Sequence, residues 1–185
     1  MKIADTIAFV ALGSNVEPER RLHQVATLLK AEFPDIRFSA CYQNPAVGFV
    51  GADFINAVAA FTFNGTLAAL VGRLHDIEER CGRQRDDPKW APRAMDLDVL
   101  LLGDQVSDSP AGRLPRADLA RRAFMLGPTA ELAPDLIHPT AARRLADLWH
   151  ELEPNAPALT RVGLNLNLVA TSPRSGHHPP PRSGR

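Results

Sequence analysis

"PRAMDLDVLLLG", Pro92 to Gly103, is the stretch on which the fold turns. From Met95 to Leu102 it has the apolar, branched character of a strand bound for a buried sheet. It also carries two carboxylates, Asp96 and Asp98. Alternate residues of a strand share a face, so both point the same way, about 6.6 Å apart at Cα. Two like charges on one face of an apolar strand repel. Something else in the chain must offset that cost.

The segment that feeds this strand, "GRQRDDPKWAPR", is a charged loop with two prolines. It supplies Arg83, Arg85, Lys89 and Arg93. An acidic pair beside a basic loop fits a polyphosphate with magnesium, because Mg²⁺ is typically held by one or two carboxylates plus substrate phosphates. Arginine forks bind phosphate oxygens bidentately. Glu78, Glu79, Asp86 and Asp87 are equally able to neutralise those arginines. A loop that is merely salt-bridged, and a strand end whose carboxylates are solvated, therefore stay open.

Upstream, Leu67, Leu70, Val71, Leu74, Ile77 and Cys81 follow helical spacing. Phe54 to Phe63 reads as a strand stopped by Asn64-Gly65, and Ile36 to Tyr42 as another, with the loop "QNPAVGFVGAD" between them. Leu22, Val25, Ala26, Leu29 and Phe33 mark a first helix. Ser14 with Glu17 is a capping-box pattern at its start, and Pro18 suits its first turn. Ile7 to Leu12 is the first strand. The order β-α-β-β-α-β, with two helices to cover one face, predicts an α+β, ferredoxin-like sandwich. Additional C-terminal helices are expected over Leu119 to Leu132 and Ala142 to Leu152. From about Arg161 the core pattern fades into Pro, Ser, Gly and Arg. The expected domain is 1–160, with a disordered tail over 161–185.

The 185 residues suit one domain with a real core. The formal net charge is zero, so no overall field favours nucleic acid or an acidic membrane as partner. No apolar run reaches the length of a membrane span, and the start has no signal-peptide pattern. Cys41 and Cys81 form no CxxC and read as reduced thiols. A cytoplasmic monomer is the expectation. "ALGSN" matches neither a P-loop nor a dinucleotide fingerprint, and reads as a strand-to-helix turn. His23, His75, His138 and His150 stand alone and give no metal signature. Asn56, inside "DFINAVAAF", is an amide near the start of an apolar strand. It bridges backbone groups or reads the edge of a heterocycle, with Phe54 as a stacking face and Phe124, in "RRAFML", as a second. Spacing leaves that choice open.

The run "KWAPRAMDLDVLLLG" resembles the signature of the 6-hydroxymethyl-7,8-dihydropterin pyrophosphokinase family, through Lys89, Ala91, Pro92, Arg93, Asp96, Leu97, Asp98 and Val99. "ALGSN", "YQNPAVG", "DFINAVA", "IEERCGRQR" and "RAFMLGPTAELAPDLIHP" resemble further family segments in the family order, over roughly residues 7 to 152. The resemblance implies a ferredoxin-like fold and transfer of the ATP pyrophosphoryl group to a pterin hydroxymethyl oxygen, releasing AMP. It implies that Asp96 and Asp98 hold two Mg²⁺ ions, with Arg83 and Arg93 catalytic beside them. Glu78, Arg85, Trp90, Val99, Arg116 and Arg122 would line the nucleotide. Asn44, Pro45, Val47, Phe54, Asn56 and Phe124 would hold the pterin. One position departs from the family pattern: Arg116 stands after Pro115 where the family usually has His, and is expected to replace that donor to the phosphates. The alternatives are a divergent paralogue acting on another pterin-like alcohol or binding without turnover, and a non-enzymatic ferredoxin-like binding module.

Overall fold

The computed structural model describes residues 5–46, 50–82 and 94–168. Strand β1 (Ile7–Ser14) leads into helix α1 (Pro18–Glu32), strands β2 (Arg37–Phe38), β3 (Tyr42–Asn44) and β4 (Phe54–Thr62), helix α2 (Leu67–Arg80) and strand β5 (Asp96–Leu102). A hairpin of β6 (Ser107–Ser109) and β7 (Gly112–Leu114) follows. Helices α3 (Ala123–Leu132) and α4 (Leu145–Leu152) and a last strand β8 (Thr160–Arg161) complete the order. The sheet runs β5-β1-β4-β3-β8, with β2 also on β4, and every pairing is antiparallel. This is the expected ferredoxin-like order with its second strand in two pieces.

Both faces of the sheet are covered. Leu22, Val25 and Leu29 of α1 and Leu70, Leu74 and Ile77 of α2 pack with Val10, Leu12, Ala57, Ala59 and Phe61 on one side. On the other, Met125, Leu126 and Ala130 of α3 and Leu145 of α4 pack with Phe9, Val58, Ala60, Leu100 and Leu101. Strands buried on two faces carry near-continuous apolar runs instead of strict alternation. That is why "IAFVAL" and "DVLLL" look as they do. Among the described residues no helix is long and apolar enough to cross a membrane.

Four expectations need correction. The capping box does not form: Ser14 stays in β1, and Glu17 sits at the cap in a left-handed conformation (φ 45°) without a side-chain cap bond. The expected strand 36–42 is broken between β2 and β3. Its register on β4 slips by one residue there, from Phe38 opposite Ala59 to Tyr42 opposite Asn56. Ser39 sits in the break and its hydroxyl accepts from Val58 N–H at 2.9 Å, so a side chain replaces a ladder partner. The two C-terminal helices start later than their apolar spacing indicates. Residues before Ala123 turn through bonds such as Arg122 N–H to Asp118 O, and Ala142 is left-handed (φ 53°), which a right-handed helix excludes. Finally, the packed chain passes residue 160. Leu166 is fully buried, and the Asn167 amide bonds both backbone groups of Phe38, at 2.9 and 2.8 Å. A side chain so placed supplies β2 with a strand-like partner.

Candidate active site

Register alone assembles most of the site. Asp96 lies opposite Gly13, Gly13 opposite Asn56 and Asn56 opposite Tyr42, forming one row across four strands. Asp98 stands opposite Ala11, and Phe54 opposite Asn44. Directly opposed residues share a face. Asp96, Asp98, Asn44, Asn56 and Phe54 thus share the face that α3 and α4 cover further along, at Phe9, Val58 and Leu101. Asp96 and Asn56 are two strand spacings apart, about 10 Å.

Asn44 and Asn56, both 7% exposed, hold one another. Asn44 Nδ2 donates to Pro45 O at 2.9 Å, which turns Asn44 Oδ1 toward Asn56 Nδ2, 2.6 Å away. That bond in turn directs Asn56 Oδ1 over β1. Gly13 makes room for it: a Cβ at residue 13 would come within 2.7 Å of Asn56 Oδ1 and 3.7 Å of the Phe54 ring. The glycine of "ALGSN" is therefore not a turn residue. It lies inside β1 as the floor beneath Asn56.

The acidic pair is partly exposed and bracketed by Arg116 and Glu78. Arg116 Nη1 lies 2.8 Å from Asp98 Oδ1, with the side chains 37% and 29% exposed. Its backbone N–H donates to Leu100 O at 2.9 Å. The β1–β5 register shifts at Phe9/Val10, which leaves Leu100 as an extra residue and lets Leu100 and Leu101 both enter one cluster. The bulged carbonyl thus anchors Arg116 beside Asp98. A cation from outside the basic loop offsets at least part of the like-charge cost. Glu78 faces inward: it is 2% exposed and accepts from Leu97 N–H at 2.6 Å. β5 is the sheet edge, so Leu97 needs a partner from outside the ladder. Glu78, expected to line the nucleotide, secures the backbone between the aspartates.

Arg83, Arg85, Trp90, Arg93 and Val47 lie outside the described residues. The segments that flank loop 83–93 are tied to the first strand and helix. Arg21 Nη1 donates to Cys81 O at 2.6 Å and Gln24 Nε2 to Arg80 O at 2.9 Å, satisfying carbonyls at the end of α2. Ser14 Oγ lies 2.7 Å from Ala94 O and 3.2 Å from Val16 O, the other contact open to its single proton. Gln43 Nε2 closes the base of the loop after β3 on Asp53 Oδ2 at 2.8 Å. Pro45 and Arg122 are exposed, and Phe124 is half-buried at the start of α3. Ser14, Arg21 and Gly13 were missed as site residues. Their roles depend on partners 43 to 80 positions away.

Asp98, Val99 and Arg116 line a cavity of about 230 Å³ between α2, the β5 edge and the β6–β7 hairpin. A larger one, about 750 Å³, lies between β3, α3 and α4 against Tyr42, Glu131 and Trp149, and none of the described residues expected at the site lines it. Tyr42 donates to Glu131 there at 2.9 Å, and burial with that carboxylate pushes its pKa up to about 12. Cys41 and Cys81 are free and buried, and desolvation raises their thiols to about 12 and about 11, so both are chemically quiet. The described residues hold no cluster of three or more His, Cys, Asp or Glu suited to a metal. The donor set at Asp96 and Asp98 fits a hard cation that takes its remaining oxygens from water and phosphate, not an all-protein cage.

The sequence profile of the 7,8-dihydro-6-hydroxymethylpterin-pyrophosphokinase (HPPK) family matches residues 9–134. The chain belongs to this family. It is 39% identical over 144 residues to the 2-amino-4-hydroxy-6-hydroxymethyldihydropteridine pyrophosphokinase of Pseudomonas aeruginosa, covering 76% of this chain and 88% of that one. The enzyme of the same name from Methylorubrum extorquens is 39% identical over 137 residues, 71% of this chain and 85% of that one. Among solved structures, wild-type Plasmodium falciparum HPPK-DHPS with pteroate matches with a TM-score of 0.59 at 13% identity. That match covers 80% of this chain and 44% of the other, so this HPPK chain spans less than half of the Plasmodium protein. At such low identity the likeness concerns the fold.

Proposed function

We propose that this HPPK-family chain transfers the β,γ-pyrophosphoryl group of ATP to the hydroxymethyl oxygen of 6-hydroxymethyl-7,8-dihydropterin. The observation that carries this reading is the single row Asp96, Gly13, Asn56, which sets an acidic pair beside an amide-lined platform on one sheet face. The gap of two strands, about 10 Å, suits a bicyclic heterocycle at Asn56 whose hydroxymethyl arm reaches toward phosphates at the aspartates. Asn56 Oδ1, oriented through Asn44, accepts from the heterocycle's N–H groups. Phe54 and Phe124 stack on its two faces, and the backbone at Asn44, Pro45 and Val47 reads its edge.

The hydroxymethyl oxygen attacks the β-phosphorus, the bond from that phosphorus to the α,β-bridging oxygen breaks, AMP departs with that oxygen and the hydroxyl proton passes to solvent. Positioning and charge neutralisation do most of this work. Asp96 and Asp98 would hold two Mg²⁺ ions, which would supply that neutralisation and in-line orientation. Arg83, Arg85, Trp90, Arg93 and Arg122 hold the nucleotide with Val99 and Arg116. The proposed active unit is a monomer.

Purified protein should form AMP from ATP and Mg²⁺ only when hydroxymethyldihydropterin is present. Asp96→Asn and Asp98→Asn should each lower turnover by orders of magnitude. AMP formation that ignores the pterin, or near-normal turnover in both variants, overturns the assignment.

A further inference from the structure

Arg116 meets Asp98 where the proposed function needs a metal. We propose that Arg116 is a resident counter-cation that competes with free metal for Asp98 and transfers to the nucleotide's phosphates when they arrive. The protein then takes up metal together with nucleotide and only poorly before it. This inference rests on the reading of Asp96 and Asp98 as the metal seat.

Three features support it. The contact is a single point, Nη1 to Asp98 Oδ1 at 2.8 Å, whereas arginine is most stable on an acceptor that engages two of its N–H groups. Arg116 Nε is buried and has no hydrogen-bond partner among the described residues, so the guanidinium still holds a donor to satisfy. A triphosphate brings several oxygens to the same place. The backbone bond from Arg116 to Leu100 O keeps the side chain rooted two residues along the strand from Asp98. The guanidinium can change partner there without leaving the site.

The charges set the direction. The guanidinium occupies one carboxylate oxygen and repels an incoming divalent cation, so it lowers the affinity of the empty protein for metal. Both side chains are about a third exposed, and ion pairs at such positions are weak enough to exchange. Phosphates attract both cations and remove the conflict. Arg116 therefore contributes positive coupling between nucleotide and metal, and by linkage each ligand raises the affinity for the other equally.

The test is Mn²⁺ titration of the intact protein, followed by electron paramagnetic resonance of free Mn²⁺, with and without the α,β-methylene analogue of ATP. Without nucleotide, Arg116→Ala and Arg116→Gln should each bind Mn²⁺ roughly five- to tenfold more tightly than the parent. The gain should vanish when Asp98→Asn is added. The analogue should enhance Mn²⁺ affinity less in Arg116→Ala than in the parent. If both Arg116 variants bind Mn²⁺ no better than the parent while Asp96→Asn and Asp98→Asn lose it, the seat stands and the competition is refuted. If Asp96→Asn and Asp98→Asn bind Mn²⁺ like the parent, the metal seat itself is wrong and the inference falls with it.

Discussion

Asn56 rests on Gly13: a methyl group at residue 13 would come within 2.7 Å of Asn56 Oδ1. The amide has little freedom to retreat, because its Nδ2 is held by Asn44 at 2.6 Å. Gly13→Ala should therefore break the Asn44–Asn56 bond and misdirect the amide. Loss of one or two such bonds corresponds to about tenfold or more in affinity for a pterin. Titration calorimetry with the pterin should show that loss, while ATP binding stays near the parent value. Unchanged pterin affinity would separate Asn56 from recognition.

Glu78 predicts a stability effect through its bond to Leu97. Removing its carboxylate leaves Leu97 N–H, at the sheet edge, without the acceptor now 2.6 Å away. Glu78→Ala should cost about 1–3 kcal/mol, or several degrees of melting temperature. Glu78→Gln keeps an acceptor and should cost less. Thermal melts of the ligand-free proteins distinguish them, and equal melting temperatures for the parent and the alanine variant would contradict this role.

The end of the fold can be located by truncation. A chain ending at residue 160 loses Leu166, fully buried, and the Asn167 bonds to Phe38. It should be less stable by roughly 3 kcal/mol or more. A chain ending at residue 168 should keep both melting temperature and turnover. Urea denaturation measures the two, and similar midpoints for the 160-residue chain and the full chain would move the boundary back.

His138 should set part of the response to mild acid. It is 5% exposed, and its Nδ1 accepts from the backbone N–H of Ala141 at 3.2 Å. Burial lowers its pKa from the ordinary 6.5. The folded protein keeps the ring neutral, while the unfolded chain takes up a proton as pH falls through 6.5. Its contribution is complete above that pH and is lost as pH falls toward the folded value. The melting temperature should drop from about pH 7.5 to about pH 5.5. His138→Asn, whose Oδ1 offers a similar acceptor, should flatten that slope, and an equal slope would assign the acid response to other groups.

Local pattern was enough for much of this protein. Helical spacing located α1 and α2, apolar runs rich in branched and aromatic residues located β1, β4 and β5, and their order implied the ferredoxin-like sheet. The two-residue period put Asp96 and Asp98 on one face, and the resemblance pointed to Asn56 and Phe54 beside them. These features depend on neighbours within a turn or a strand, so a linear reading reaches them. Tertiary structure decided the rest. Gly13 lies beneath Asn56, Ser14 meets Ala94, Glu78 turns inward to Leu97 and Leu166 enters the core. A one-residue bulge at Leu100 brings Arg116 to Asp98. Each is a contact between distant positions made by packing two sheet faces at once, and a side chain's own neighbours in sequence do not reveal which remote group will stand opposite it.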